Sequence, residues 1–429
     1  MTERESVVVE GPGQPFAAGI QVPGDKSLSH RAIILSAMAK GTSVIRQAAT
    51  GQDVLSSISV VESLGVEVDG DRFVSPGIDA WTTPSQPLDC GNSGTTMRLM
   101  AGALSGSSLT ATLVGDESLS RRPMRRLVEP LESLGASVTL SDDDTAPMTV
   151  GGAGETTAAD IEIAVASAQV RTAFAFGAVR AEGESTITSP PGYRNHTERW
   201  LETMGLGRRE SSTTFRILPG DIPPFQYDIP GDPSSAAFLW AAAAIIEGAH
   251  VITPNVSLNP GRIGFLEILE AMGASVTGEV TGAVLGDPVG TVGVQGNGLR
   301  GIAVGGALAA AALDELPLLA VVASYAEGTT VLSDAKELKA KESDRITSTV
   351  AMINSLGGGA QPREDGFEVL GLGWLDGGVV EADGDHRIAM AGAVAATGAT
   401  GPVTISGAET VAVSWPRFFE ALEALWSSQ

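Results

Sequence analysis

The chain has 429 residues, with 27 basic against 51 acidic side chains, a formal net charge of −24 and one cysteine. That length calls for two or more domains, and 43% hydrophobic with 18% charged residues is a globular composition rather than a disordered one. A lone Cys90 excludes an intrachain disulfide and a Cys-rich metal site, while the acidic excess excludes nucleic-acid or anionic-membrane binding unless positive charge is gathered locally.

The opening MTERESVVVE has no basic region ahead of an apolar core, so no secretory signal is expected. Apolar stretches such as Ala236 to Ile246 fall short of the roughly 20 residues of a membrane span. A cytoplasmic protein is therefore expected. Ser6 to Glu10 reads as a strand, and a Pro/Gly-rich break follows over 11–24. Asp25-Lys-Ser then opens a helix on which Ser27 and Arg31 are i, i+4 neighbours beside Lys26, which suits an anion. Gly19 and Gly24 have the spacing of a phosphate-binding P-loop, but Asp25 separates Gly24 from Lys26 where that loop needs adjacency, so a Walker site is not expected. A capped helix with solvated charges is the plainer alternative.

Asn92-Ser-Gly94 forms a small-residue cap that a ligand could approach closely. Arg121, Arg122, Arg125 and Arg126 bunch around Pro123, and an arginine there could clamp a carboxylate or phosphate. Leu127, Leu131 and Leu134 lie on one helical stripe closed by Gly135, before a strand over Ser137 to Leu140. Ser167-Ala-Gln opens the next apolar helix. A second Pro/Gly-rich break spans 218–233, and Asp232-Pro-Ser-Ser opens the apolar run Ala236 to Ile246. Phe265, Leu269 and Met272 repeat the stripe, with Gly273 closing it. Asp314-Glu precedes the apolar helix Leu316 to Ala323, and Thr329 to Leu332 reads as a strand. Glu342 stands between Lys341 and the pair Asp344 and Arg345, and Gly384-Asp-His-Arg opens the last apolar helix. Four histidines at scattered spacings form no metal-ligand pattern.

Two periodicities run through this order. Amphipathic helices end at Leu64, Leu134, Met204, Met272, Leu356 and Leu425, at intervals of 70, 70, 68, 84 and 69. A second series, marked by Ser27, Ser93, Ala168, Ser234, Glu315 and His386, recurs at 66, 75, 66, 81 and 71. Six α/β units of about 70 residues thus account for the chain. The second series is apolar on most faces and should be buried, with N-termini that favour anions. The breaks group the units three and three. One domain covers 22–231; the other joins 1–21 to 232–429, with a hinge near 11–24 and 218–233. Asp314 and Glu342, in different surroundings, could divide the roles of base and acid, although Asp314 alone reads equally as a helix cap.

Eight segments add up to a resemblance. GDKSLSHRA at 24–32, GNSGTTMRL at 91–99, SRRP at 120–123, SAQV at 167–170, PGDPSSAA at 230–237, DELP at 314–317, KESDR at 341–345 and GDHRIAM at 384–390 resemble, in order, the 5-enolpyruvylshikimate-3-phosphate synthase family. The resemblance implies two domains of three βαβαββ repeats each, an inverse α/β barrel closing over a central cleft. It implies transfer of the enolpyruvyl group of phosphoenolpyruvate to the 5-hydroxyl of shikimate 3-phosphate, releasing phosphate, with no metal or organic cofactor. Lys26 resembles a catalytic lysine touching both substrates, which could share acid/base work with Glu342; Ser27 and Arg31 resemble the holders of the shikimate carboxylate, and Ser167, Ala168, Gln169 and Arg194 the phosphate ligands. Gly94, Arg122, Gln169, Arg345 and Arg387 resemble the phosphoenolpyruvate site. Asp314 resembles the base at the 5-hydroxyl, Lys341 a lysine beside that hydroxyl, and Glu342 the residue handling the methylene proton. Some members carry a further lysine where Val413 and Ser414 stand. The implied partners are small anionic substrates, not nucleic acid or membrane, and the chain is expected to be a glyphosate-sensitive monomer. The related transferase acting on UDP-N-acetylglucosamine typically has a Lys-Asn pair and a cysteine in the arginine loop; here the pair is Lys26-Ser27 and 115–126 holds no cysteine.

Overall fold

A computed structural model describes residues 5–427; Met1 to Arg4 and the last two residues, which the sequence reading assigns to the second domain, lie outside the described residues. The βαβαββ order is plain in the second repeat. Strand Leu88–Asp89, helix Gly94–Ser105, strand Thr110–Val114, helix Val128–Glu132 and strands Ser137–Thr139 and Met148–Gly151 follow one another. The first strand pairs in parallel with the second, which runs antiparallel to the last, which runs antiparallel to the third. Among the described residues this pattern builds five four-stranded sheets and one three-stranded sheet.

Two strands depart from chain order. Ala17–Gly19 precedes the helix Lys26–Met38 but pairs with His250–Ser257, and Gln226–Asp228 precedes the helix Pro233–Ile245 but pairs with Lys40–Arg46. Ser6–Val9 runs antiparallel to Val403–Ser406 and completes the last sheet. The chain accordingly folds as two compact units. One, here the N-terminal unit, comprises Gly24–Ile229 and Ala283–Asp287. The C-terminal unit comprises the described residues of Met1–Pro23, Pro230–Gly282 and Pro288–Gln429. The sequence reading placed all of 232–429 in one domain. The difference is the hairpin formed by Ser275–Val284 and Asp287–Gln295, whose turn groups with the N-terminal unit because Asp287 buries its carboxylate against His196 and Trp200 there.

Each unit has its own apolar core. In the N-terminal unit, helices Gly94–Ser105 and Ala168–Ala178 pack backbone to backbone. A Cβ on Gly102 would stand 2.2 Å from the Ala173 carbonyl oxygen, and one on Gly177 would meet Ser105 and Leu134, so only glycine permits this approach. The stripe Leu127, Leu131 and Leu134 is fully buried, but its helix is only five residues long. Pro130 within it lacks the N–H that would extend the ladder. Gly135 and Gly273 close their helices at φ of +91° and +114°, in the left-handed region. Of the six apolar helices, those beginning at Lys26, Gly94, Ala168, Pro233 and His386 are capped by the side chains of Asp25, Ser93, Ser167, Asp232 and Asp385. The sixth, Leu316–Ser324, has Glu315 at its N-cap and no side-chain capping bond. Asp314 is therefore not the cap that its sequence position allowed.

Candidate active site

The candidate residues fall into two groups, one per unit. In the N-terminal unit, the Asp25 carboxylate accepts the Leu28 N–H at 3.0 Å and starts a helix that puts Lys26, Ser27 and Arg31 in its first two turns. Lys26 Nζ lies 2.9 Å from Asp53 Oδ2, a nearly buried pair. Arg31 is buried and donates to Thr197 Oγ1 at 2.9 Å, to Thr172 Oγ1 at 3.0 Å and to the Ser27 carbonyl at 2.8 Å. His30, between them, is held neutral: burial is the main cause, and the charges of Lys26 and Arg31 add to it.

The Ser93 cap fixes the start of the next helix, and around it polar side chains lock together in two networks. Arg98 Nη1 donates to Gln169 Oε1 at 2.8 Å, and Gln169 Nε2 donates to Thr95 Oγ1 at 3.0 Å. Arg122 Nη2 donates to Asn92 Oδ1 at 2.8 Å and to Ser118 Oγ at 3.2 Å, and Asn92 in turn donates to Asp116. A Cβ built on Gly94 would stand 2.8 Å from Arg98 Nη1 and 3.5 Å from Arg122 Nη1, so this glycine faces both guanidinium groups. Ser167 caps the helix that carries Ala168 and Gln169, and Arg194 sits half-buried just before the helix His196–Thr203. Cys90 is buried, and that burial pushes its thiol far above the reactive range, so it is no nucleophile.

In the C-terminal unit, the charges form a chain around Asp314. Lys341 Nζ lies 3.2 Å, Arg345 Nη1 3.6 Å and Arg387 Nη2 3.9 Å from its carboxylate. Glu342 Oε2 accepts from Arg345 Nη2 at 2.7 Å, so one guanidinium touches both acids. Arg345 is 1% exposed and is gripped on its other edge by Asp385, at 2.8 and 3.1 Å. Burial alone would lower the charge affinity of Arg345, but Asp385, Glu342 and Asp314 outweigh it and drive its pKa up. Arg387 Nη1 donates to the Asp314 carbonyl at 2.9 Å, and its own N–H bonds Asp385 Oδ1 at 2.9 Å. Val413 ends a short 3-10 turn, Ala408–Val413, whose following residue Ser414 has a buried hydroxyl with no partner among the described residues.

Sequence reasoning missed Asp53, Arg98 and Asp385. Arg98 left a signal, as the one charge inside the apolar helix Gly94–Ser105, and Asp385 stands between Gly384 and His386 in a quoted motif. Asp53 left none, since it lies 27 residues from the lysine it meets.

The sequence profile of one family, EPSP synthase (3-phosphoshikimate 1-carboxyvinyltransferase), matches residues 11–422. A 3-phosphoshikimate 1-carboxyvinyltransferase from Roseiflexus castenholzii is 43% identical over 416 residues, covering 95% of this chain and 96% of its own. One from Halorhodospira halophila is 43% identical over 420 residues, covering 96% and 95%. Among solved structures, EPSP synthase from Acinetobacter baumannii superposes with a TM-score of 0.87 at 36% identity, covering 98% of both chains.

Proposed function

The chain belongs to the EPSP synthase family, and we propose how its residues divide the transfer of the enolpyruvyl group from phosphoenolpyruvate to the 5-hydroxyl of shikimate 3-phosphate. Both substrates carry a phosphate and a carboxylate, which a chain of net charge −24 can hold only with gathered cations and helix N-termini. Residues 22–231 form the shikimate 3-phosphate side, and 1–21 with 232–429 supply the catalytic carboxylates, with hinges near 11–24 and 218–233. Ser27 and Arg31 take the shikimate carboxylate. Ser167, the Ala168 N–H, Gln169 and Arg194 take its phosphate. Arg122, Arg345 and Arg387 take phosphoenolpyruvate beside Gly94, and Lys26 neutralises charge on both substrates.

The observation that carries the chemistry is the pair of acids on one buried guanidinium, with Arg345 at 3.6 Å from Asp314 and 2.7 Å from Glu342. Glu342 delivers a proton to the methylene carbon of phosphoenolpyruvate. The adjacent carbon becomes cationic, and the 5-hydroxyl oxygen forms a bond to it. Asp314, ringed by three cations, takes the hydroxyl proton as that bond forms and the oxygen turns acidic, while Lys341 holds the same oxygen. In the second half, the new methyl group returns a proton to Glu342, the carbon–oxygen bond to phosphate breaks, and the Asp314 proton leaves with the phosphate. Closure about the hinges excludes water from the cationic stage. A reduced, cytoplasmic setting suits the free Cys90, and one chain carries both residue groups, as a monomer requires.

Phosphate release with phosphoenolpyruvate and shikimate 3-phosphate, and none when UDP-N-acetylglucosamine replaces the latter, is the expected result of a coupled assay. Release with the nucleotide sugar alone would overturn the reading. Glyphosate is expected to compete with phosphoenolpyruvate. Gly94→Ala places a methyl 2.8 Å from Arg98 Nη1, a flexible tip that must shift away from Gln169. Both the KM for phosphoenolpyruvate and the glyphosate inhibition constant are expected to rise about tenfold or more. An unchanged inhibition constant would show that Gly94 does not border that site.

A further inference from the structure

Arg31 sits on a hydroxyl relay whose protons are all assigned by geometry. Thr172 Oγ1 lies 2.8 Å from the Ala168 carbonyl oxygen, which can only accept, so the single Thr172 hydroxyl proton goes there. Thr197 Oγ1 lies 2.7 Å from Thr172 Oγ1. With the Thr172 proton spent, Thr197 must be the donor in that contact. Both oxygens are then left with lone pairs, and each accepts from a different nitrogen of Arg31, Thr197 from Nε at 2.9 Å and Thr172 from Nη2 at 3.0 Å. Thr172 and Thr197 are each 1% exposed, so no solvent competes for these bonds.

The relay fixes more than a rotamer. Two acceptors on adjacent nitrogens of a planar fork set both the plane and the direction of the guanidinium. The chain of bonds also ends on Ala168, in the first turn of the helix whose opening residues are Ser167, Ala168 and Gln169. Thr197 lies three residues beyond Arg194, in the first turn of helix His196–Thr203. Three segments read above as ligands of one substrate are thus keyed to each other through two buried threonines.

We infer that Thr172 and Thr197 are positioning residues that hold Arg31 in register with the phosphate-binding turn, and so set the affinity for shikimate 3-phosphate. The inference rests on the reading of Arg31 as a carboxylate ligand. Neither threonine enters the chemistry, so the effect falls on one KM and not on turnover.

Steady-state kinetics of Thr172→Val and Thr197→Val, which keep shape but remove the acceptors, test it. The KM for shikimate 3-phosphate is expected to rise about 10- to 100-fold, with kcat and the KM for phosphoenolpyruvate within about threefold of wild type. Thr172→Ser and Thr197→Ser keep the hydroxyl and should restore the wild-type KM. Arg31→Lys keeps the charge and loses the fork, and in that background Thr172→Val should add less than about threefold. If Arg31→Lys leaves the KM for shikimate 3-phosphate unchanged, the ligand reading falls and the inference with it. If Arg31→Lys raises that KM but the valine variants do not, or if the valine effect persists in full beside Arg31→Lys, only the inference falls. Should Thr172→Val fail to fold, Thr197→Val, which removes the Nε acceptor and the donor to Thr172 but leaves the Thr172 bond to Arg31, is read the same way.

Discussion

Asp314→Asn and Glu342→Gln are each expected to lower kcat by about 10²- to 10⁴-fold, the usual contribution of a positioned acid or base. Both changes keep side-chain shape but remove the negative charge together with the proton-carrying capacity. Arg345 retains the two bonds to Asp385 in either variant, so the unfolding temperature should stay near that of wild type. The two variants separate by isotope. In the proposed sequence the methylene carbon becomes a methyl group with one solvent-derived hydrogen, and losing either of the two original hydrogens on elimination leaves label behind. Wild-type turnover in deuterated water should therefore put deuterium into the product's methylene. Glu342→Gln should lose rate at that protonation, so its residual turnover shows a larger solvent isotope effect. Asp314→Asn leaves protonation intact and slows capture of the hydroxyl. Phosphate release near the wild-type rate from either variant would remove that residue from its role.

The fold was legible because six copies of one pattern reinforce each other. Each buried helix is announced by a polar cap, and five of the six caps are made by side chains within the quoted segments. What the pattern could not convey is pairing. Ala17–Gly19 and Gln226–Asp228 each stand where their own repeat needs a first strand, yet each completes a different repeat's sheet. Three-residue strands carry too little side-chain information to name a partner. The turn around Asp287 is a similar case, because its allegiance follows from one buried carboxylate and not from local composition. At the candidate site, the adjacent charges around Glu342 were found, while Asp385 was passed over inside its motif and a charge met across the fold was out of reach. Lys341, Glu342 and Arg345 announced themselves by adjacency, whereas Asp53 needed three dimensions to reach Lys26.

Asp385 is the residue whose loss should do most damage without being an acid or base of the reaction. Burial alone would push its carboxyl up, but the Arg345 charge and the hydrogen bonds from that guanidinium outweigh burial and hold it below the usual range. It also accepts the Arg387 N–H at 2.9 Å and so caps the helix His386–Ala395. Asp385→Asn keeps the cap acceptor but turns an N–H₂ toward a guanidinium that has only donors. Arg345, 1% exposed, would be left to Glu342 and Asp314 and drawn toward them. Breaking a buried pair of this kind costs about 3–5 kcal/mol, and here the displaced arginine is one that phosphoenolpyruvate needs. The expected result is a fall of about 100-fold or more in kcat/KM for phosphoenolpyruvate, with a clear loss in denaturant stability. The sign of the pH dependence follows from the lowered pKa. A carboxylate depressed in the folded state stabilises fully above its unfolded value of about 4 and loses that contribution only as pH falls through the folded value. The stability gap between wild type and variant should therefore be constant from pH 7 to pH 5. A gap that narrows within that window would mean that the lost interaction is not the ionised Asp385 on Arg345.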